Sequence, residues 1–237
     1  MSKEKIILED LGRIAYQQAW DYQKQLFQSV LEAKKEGITH KNYLLFCEHP
    51  PVYTLGKSGN REHLLINDEM LRKIGATFQP IDRGGDITFH GPGQLVGYPI
   101  FDLDTFTLSI KDFVFQIEAV IIRTLKHYGI FASRIEHATG VWIDAGKPNV
   151  RKIAAIGMRI HNKVSMHGFA LNVNTDLEYF SHIIPCGITD KGVTSLQKEL
   201  GHTVEMKEVK EYLIEEFETL FEQEIMIRRS SLKSPTT

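Results

Sequence analysis

Three long stretches of the chain carry apolar residues at three- and four-residue steps, the period of an α-helix with one buried face. They span residues 12–35, 109–128 and 206–221. In the second stretch, Ser109 stands three residues before Asp112, the spacing of a capping box at a helix start. In the third stretch, glutamates recur on the polar side, which predicts a solvated face. Two shorter helices are predicted at residues 68–74 and 195–200.

Short runs of β-branched and aromatic residues lie between these helices and predict strands. The predicted strands cover residues 6–8, 43–47, 52–55, 77–81, 87–89, 95–96, 130–135, 141–143, 153–160 and 164–173. The first is expected at a sheet edge, and a tight turn at 161–163 is expected to join the last two as a hairpin. Because helices and strands are intermixed without strict βαβ alternation, the sequence predicts an α+β fold with a mixed sheet and packed helices.

The length and the absence of linkers indicate how the chain is divided. Its 237 residues fit one large domain, and no internal repeat or low-complexity linker interrupts them. We expect a single domain over residues 1–225, with a small C-terminal lobe as an option after about residue 185. The polar end, residues 226–237, is predicted to be a flexible tail.

Five glycines fall between Asp82 and Pro99, in the segment DRGGDITFHGPGQLVGYP. Glycine permits positive φ and close approach of another group. One interpretation is a hairpin whose glycines only form turns, with Gly91-Pro92-Gly93 joining strands 87–89 and 95–96. The other is a binding segment, because polar side chains, Arg83 and His90 among them, cluster at the glycines beside apolar strands.

Composition and charge narrow the classes of function. The formal net charge is −2, so no overall field favours nucleic acid or an anionic membrane as a partner. No apolar run approaches the ~20 residues that span a bilayer, and the charged N-terminus MSKEKIILED is unlike a signal peptide. We therefore expect a cytoplasmic protein. Ten histidines occur without an HExxH, a CxxC or a close His/Cys cluster, so no metal site is predicted.

Two nucleotide-binding motifs are approached but not completed. Gly91 and Gly93 are followed by Gly97, one residue too late for the dinucleotide fingerprint. The segment 56–58, Gly-Lys-Ser, ends like a phosphate-binding loop, but Pro51 occupies the earlier glycine position. The sequence therefore predicts neither bound ATP nor NAD, and no cofactor is expected.

The chain has two cysteines, of which Cys186 is the candidate nucleophile. Pro185 and Gly187 fix a loop around it and leave the sulfur unhindered. The competing interpretation is a buried structural thiol, because free cysteine is often buried. Cys47 fits that second interpretation better, since it ends the apolar run 43–47.

Lys152 stands directly before a run of small and apolar residues, 153–157. At the start of a buried strand, such a lysine either extends to solvent or places a cation beside another group. A cation next to a thiol favours the thiolate. The hairpin at 161–163 would set this strand beside 168–173, and together the two strands would line a narrow apolar slot.

Five motifs, in this order, resemble the octanoyltransferases of lipoate biosynthesis, the octanoyl-[acyl-carrier-protein]:protein N-octanoyltransferase or lipoyl/octanoyl transferase family. The motifs are RGGDITFHGPGQLVGYP at 83–99, TGVW at 139–142, KIAAIG at 152–157, HGFALN at 167–172 and PCG at 185–187. They cover most of residues 43–190. The resemblance implies an acyltransferase with a fold similar to the catalytic domain of biotin- and lipoate-protein ligases.

The resemblance also implies roles for individual residues. Cys186 would be the nucleophile that carries the acyl group, and Lys152 would be its activating partner. The residues expected to line the substrate site are Arg83, Gly84, Gly85, Asp86, Ile87, Thr88, Phe89, His90, Ala155, Ile156, Gly157, Gly168, Phe169 and Ala170.

The implied reaction moves an octanoyl or lipoyl group from acyl carrier protein to Cys186 as a thioester, and then to a lysine of a lipoyl domain. The implied donor is octanoyl-acyl carrier protein. The implied acceptors are the lipoyl domains of 2-oxoacid dehydrogenase E2 subunits and the glycine cleavage H protein. Two alternatives stay open: an ATP-dependent lipoate-protein ligase on the same fold, which would not need Cys186, and a non-catalytic binder of acylated carrier protein.

Overall fold

The computed structural model describes residues 5–184 and 191–230. Its α-helices are α1 (Tyr16–Glu36), α2 (Asp68–Lys73), α3 (Ile110–His127), α4 (Leu196–Leu200) and α5 (Met206–Phe221). Its strands are β1 (Ile6–Arg13), β2 (Asn42–Glu48), β3 (Val52–Leu55), β4 (Thr77–Pro80), β5 (Ile87–His90), β6 (Gln94–Ile100), β7 (Ala132–Ile135), β8 (Ala138–Ile143), β9 (Arg151–His161), β10 (Val164–Asn172), β11 (Gly192–Val193) and β12 (Ile225–Arg229). Short 3₁₀ turns occupy Arg61–His63, Leu103–Phe106 and Leu177–His182.

The strands form one large and one small sheet. The large sheet has the order β12-β1-β2-β6-β10-β9-β8-β7, with β11 paired to β9, and the small sheet has the order β4-β3-β5. In the large sheet, β1 is parallel to both β12 and β2, whereas β2, β6, β10, β9, β8 and β7 pair antiparallel in succession. The predicted α+β class with a mixed sheet is confirmed.

Both faces of the large sheet are buried. Along β2, Leu44 and Phe46 belong to the core beneath α3 and α5, whereas Leu45 and Cys47 belong to the core beneath α1. Successive side chains of a strand point to opposite faces, so an uninterrupted apolar run fits a strand that is covered on both sides. This sandwich of helix, sheet and helix fixes the central strands that carry the candidate site.

Local sequence signals at two element ends are confirmed. The Ser109 hydroxyl accepts a hydrogen bond from the Asp112 amide at 3.1 Å and donates one to the Asp112 carboxylate at 2.6 Å, so α3 begins with the expected cap. Between β9 and β10, Asn162 and Lys163 have φ of 48° and 61°. Two consecutive residues with positive φ are typical of the tight turn of a β-hairpin, which matches the predicted connection.

The hairpin predicted within the glycine segment is wrong. Among the described residues, β5 pairs only with β3 in the small sheet, whereas β6 pairs with β2 and β10 in the large sheet. At the turn between them, the Gly93 amide donates to the Glu48 carboxylate at 2.7 Å, and the Gly93 carbonyl accepts from the Asn174 amide at 2.8 Å. These distant partners direct the chain from one sheet into the other instead of folding it back on itself.

The predicted tail is wrong for residues 226–229, and the predicted edge position of the first strand is wrong, for one shared reason. Residues 225–229 form β12, which pairs in parallel with β1 and so covers its outer side. Ile225 is buried, and Arg228 forms an ion pair with the buried carboxylate of Glu9. The described residues from 191 onward thus join the large sheet through β11 and β12 rather than forming a lobe of their own.

Candidate functional site

A cavity of about 640 Å³ lies where the glycine segment meets β9 and β10. Lys152 lines it, together with every residue expected at the substrate site except Phe89. The phenyl ring of Phe89 instead stacks on Tyr179 with ring centroids 4.5 Å apart, in the core of the small sheet. Phe89 lies between Thr88 and His90, which line the cavity, and successive side chains of a strand point to opposite faces. Cys186 lies outside the described residues.

The backbone of the glycine segment lies directly against β9. The Gly84 amide donates to the Met158 carbonyl at 2.9 Å. A Cβ atom on Gly157 would lie 3.0 Å from Arg83 Cδ and 3.1 Å from the Gly84 carbonyl oxygen. Small residues on β9 are therefore needed for this close approach, which brings the two motifs to one wall.

Arg83 is buried and links the small sheet to the glycine segment. Its guanidinium donates to the Thr54 carbonyl at 2.8 Å, to the Thr54 hydroxyl at 3.0 Å and to the Gly84 carbonyl at 3.0 Å. A guanidinium offers five donors in a rigid fork, so one side chain fixes both β3 and the glycine segment. Arg83 therefore positions the wall of the cavity.

Lys152 lies near the start of β9, as the sequence predicted. Its ammonium nitrogen is 4.6 Å from the centroid of the Trp142 ring, a cation–π contact with a fully buried indole. Its carbonyl accepts from the Thr194 amide at 2.9 Å. Strands on both sides of β9 thus hold the backbone at Lys152, while its side chain lines the cavity.

One group of buried residues that lines the cavity is polar. The His90 imidazole is 2.7 Å from the Gln94 side-chain oxygen, the Gln94 side-chain amide donates to the Asn172 side-chain oxygen at 2.9 Å, and that of Asn172 donates to the Thr194 carbonyl at 3.0 Å. Tyr16 stacks on His90 with ring centroids 5.6 Å apart. We call His90, Gln94, Asn172, Tyr16 and Tyr98 the polar floor. Each of them is buried and lines the cavity.

The polar floor is uncharged at neutral pH. Burial lowers the pKa of His90 well below its ordinary value, with a smaller contribution from His49. Burial likewise raises the pKa of Tyr16 and Tyr98 well above the ordinary range. Charged forms are disfavoured where no water can solvate them. Hydrogen bonding and shape, rather than charge, are what this floor offers a ligand.

A second polar pair joins buried His167 to half-buried Asp82, at the start of the glycine segment. His167 has a φ of 60° within β10, an uncommon conformation for a residue other than glycine. Its imidazole is 2.8 Å from the Asp82 carboxylate, which also pairs with Arg159. The hydrogen bond with His167 is the main cause that holds the pKa of Asp82 far below its usual value. This arrangement ties the residue that precedes Arg83 to β9 and β10.

Sequence reasoning missed the polar floor apart from His90, and it missed His167. Gln94, Tyr98, His167 and Asn172 all fall inside the motifs at 83–99 and 167–172, but apolar neighbours made them read as strand residues. Tyr16 gave no local signal. The missed cavity residues are Tyr16, Gln94, Val96, Tyr98, Ile110, Val114, His137, Ala138, Thr139, Met158, Ile160, His167, Asn172, Phe180 and Val193.

Burial of His49 next to the polar floor predicts a loss of stability in acid. Its imidazole is 2.7 Å from the Tyr98 hydroxyl, and burial lowers its pKa from 6.5 to about 4. The unfolded chain binds the proton first, so the stability that comes from neutral His49 is complete above pH 6.5 and is lost as the pH falls towards 4. The difference between the pKa values of His49 in the unfolded and the folded chain corresponds to about 3 kcal/mol of unfolding free energy. Urea unfolding at neutral and acidic pH measures it.

The matched variant for this measurement is His49→Gln, which removes the titration but keeps a polar side chain. It should show a smaller loss of unfolding free energy in acid than the wild type. His90 and His167 also have lowered pKa values and retain part of the dependence. Parallel pH curves for the two proteins would show that His49 does not contribute.

Neither a cluster of metal ligands nor a membrane-spanning helix occurs among residues 5–184 and 191–230. These residues contain no group of three or more histidine, cysteine, aspartate or glutamate side chains placed to hold a metal ion. Within the same ranges, no helix is long and apolar enough to cross a membrane.

The chain is similar to known proteins in both sequence and structure. The model of the lipoyl protein ligase A/B catalytic domain matches residues 15–218. An octanoyltransferase of Cytophaga hutchinsonii is 53% identical over 233 residues, which cover 94% of this chain and 96% of that protein. An octanoyltransferase of Bacteroides fragilis is 54% identical over 209 residues, covering 88% and 95%. Among solved structures, a bi-partite lipoate protein ligase of Thermoplasma acidophilum superposes with a TM-score of 0.71 at 18% identity, covering 96% of this chain and 88% of that one.

Proposed function

Because the chain belongs to the lipoyl protein ligase A/B catalytic-domain family, and relatives that are identical to it at more than half of the aligned positions are octanoyltransferases, we propose that it modifies lipoyl domains through an acyl-cysteine intermediate. The proposed donor is octanoyl-acyl carrier protein, and the proposed acceptor is a lysine of a lipoyl domain. The observation that carries this proposal is the cavity, which gathers Lys152 and the three implied substrate segments around one space. The cytoplasmic location expected from the sequence stays a prediction.

The first half of the proposed reaction loads the enzyme. The Cys186 thiolate attacks the carbonyl carbon of the carrier thioester, the bond to the carrier sulfur breaks, and the carrier leaves as a thiol after it takes up a proton. A nearby ammonium favours the thiolate form of a cysteine. Lys152 is assigned this part, since its side chain lines the cavity at the start of β9.

The second half transfers the acyl group to the acceptor. A neutral lysine amine attacks the thioester on Cys186, the carbon–sulfur bond breaks, and an amide is formed. Amide formation from a thioester is downhill, so the proposed reaction requires no ATP. The octanoyl chain is proposed to lie against the apolar lining residues Val96, Ile156 and Ala170.

One experiment separates this mechanism from its two alternatives. The protein is mixed with octanoyl-acyl carrier protein, without nucleotide and without acceptor, and its intact mass is measured. We expect a gain of one octanoyl group that hydroxylamine removes, followed by discharge when a lipoyl domain is added. Modification of the lipoyl domain that requires ATP and free octanoate would indicate a ligase. A stable complex with the acylated carrier and no transfer would indicate a binder.

A further inference from the structure

A tryptophan that has no part in the transfer described so far lies against the ammonium group of Lys152. Trp142 and Lys152 are cross-strand partners in β8 and β9, and the Lys152 Nζ is 4.6 Å from the centroid of the indole ring. The Trp142 side chain is buried, so its ring is shielded from water. Indole is the best of the aromatic partners for a cation, and the contact strengthens where water is excluded.

A β-bulge places Lys152 on the same face of the sheet as Trp142. Val141 of β8 pairs with Ala154 of β9. The next residue, Trp142, pairs with Lys152, so β9 carries Ile153 as one extra residue. Val141, Ile153 and Ala154 all belong to the core beneath α3 and α5. Because a bulge shifts the alternation of side chains by one residue, Lys152 is turned away from that core and towards the indole.

Gly140 leaves the space that the lysine side chain occupies. A Cβ atom on Gly140 would lie 3.3 Å from Lys152 Cε. The Gly140 amide donates to the buried carboxylate of Glu118, on α3, at 2.9 Å. The indole N–H of Trp142 donates to the Ala138 carbonyl at 2.9 Å. These hydrogen bonds hold both the glycine beside the lysine side chain and the ring beside its ammonium group.

The loading step of the proposed function needs a cation that stays available to a thiolate. A carboxylate partner would neutralise the ammonium group and compete with the thiolate for it. An aromatic face attracts an ammonium through its quadrupole and carries no net charge. The ammonium of a lysine also sits on a flexible four-carbon stem, so a contact at its end restricts where the charge lies. The indole of Trp142 meets both needs.

Resting on the proposed function, we propose that Trp142 is a positioning residue for Lys152: its indole face holds the ammonium group at the cavity and thereby raises the fraction of Cys186 that is thiolate. The motif TGVW then serves the lysine of the motif KIAAIG. Its glycine admits the lysine side chain, and its tryptophan fixes the position of the charge.

The test compares Trp142→Phe with Trp142→Leu. Both replacements are apolar and both lose the indole N–H, so the aromatic face is the main difference between them. Loading from octanoyl-acyl carrier protein should slow by about threefold in the first variant and about tenfold in the second, as expected for a weakened and a lost cation–π contact. The pH midpoint for alkylation of Cys186 by iodoacetamide should rise in the same order, because less thiolate is present at a given pH.

A double-mutant cycle with Lys152→Met separates this contact from a structural role. In the Lys152→Met protein, adding Trp142→Leu should not move the alkylation midpoint any further. The matched control is Phe78→Leu, which removes a ring whose centroid lies 3.7 Å from the Arg61 guanidinium carbon, at a place where neither residue lines the cavity. It should load and alkylate as wild type. Urea unfolding shows that each variant is folded under the assay conditions.

Three results would overturn this inference alone: an unchanged midpoint in Trp142→Leu, the same shift of the midpoint with and without the lysine, or equal defects in the Phe and Leu variants. The last of these would assign the effect to the lost indole N–H. A wild-type protein that takes up no octanoyl group from the carrier would overturn the proposed transfer, and this inference with it.

Discussion

Gly168→Ala is expected to destabilise the protein by more than about 4 kcal/mol, an exceptional value for one methyl group. A Cβ atom on Gly168 would lie well inside van der Waals contact with the Gly97 carbonyl oxygen and 2.6 Å from Pro99 Cδ. Both obstacles belong to β6, which is paired with β2 on its other side and has no room to move. Separation of β6 from β10 would break the large sheet at its centre.

The measurement is thermal and urea unfolding of Gly168→Ala beside Gly192→Ala. Gly192 has an ordinary φ, and a Cβ atom there would meet its nearest neighbour, Arg151 Cβ, at 3.4 Å. Alanine at such a position changes stability by less than about 1 kcal/mol and tends to raise it, because the unfolded chain loses freedom. Equal stability of the two variants would mean that β6 and β10 can separate without cost, contrary to the packing.

The elements that the sequence predicted well are those specified by local chemistry. α3 needs only its apolar period and a serine cap, and both can be read within 20 or so residues. The β9–β10 hairpin needs a short turn between two apolar runs. In these cases local preference and tertiary structure agree, so the prediction did not depend on knowing the partners of each segment.

The elements that were mispredicted are defined by distant partners. Whether β5 and β6 form a hairpin depends on β3, β2 and β10, which compete for the same backbone groups. No residue from Gly91 to Gly93 indicates that this turn is held by hydrogen bonds with Glu48 and Asn174. Likewise, β12 is a strand because β1 offers it an open edge more than 200 positions earlier in the sequence.

The candidate site also has features that local sequence specifies and features that depend on distant partners. Its backbone segments could be located from the sequence because close approach requires glycine and alanine in recognisable runs. The polar floor could not be located in this way, because hydrogen bonds such as that from Gln94 to Asn172 join residues 78 positions apart. Phe89 was misassigned because the motif that contains it is a strand, and one face of that strand packs into the small sheet.

Cys186→Ser is expected to lower octanoyl transfer by at least about 1000-fold, because an unactivated hydroxyl is a far weaker nucleophile than a thiolate. Cys47→Ser should keep most activity and thus serves as the matched control. Cys47 is fully buried in β2, and burial raises the pKa of its thiol well above the ordinary value. A buried, protonated thiol is unreactive towards a carrier-bound thioester.

The two variants and the wild type are compared for octanoyl uptake by intact mass, with peptide mapping to locate the added group. We expect it on Cys186 in the wild type and in Cys47→Ser, and we expect no octanoyl group on the remaining Cys47 in Cys186→Ser. Serine at position 47 replaces an apolar contact beneath α1, so its stability is checked by urea unfolding before the activities are compared. If Cys186→Ser transfers octanoate at the wild-type rate, the lysine amine attacks the carrier thioester directly, and the acyl-cysteine intermediate is wrong.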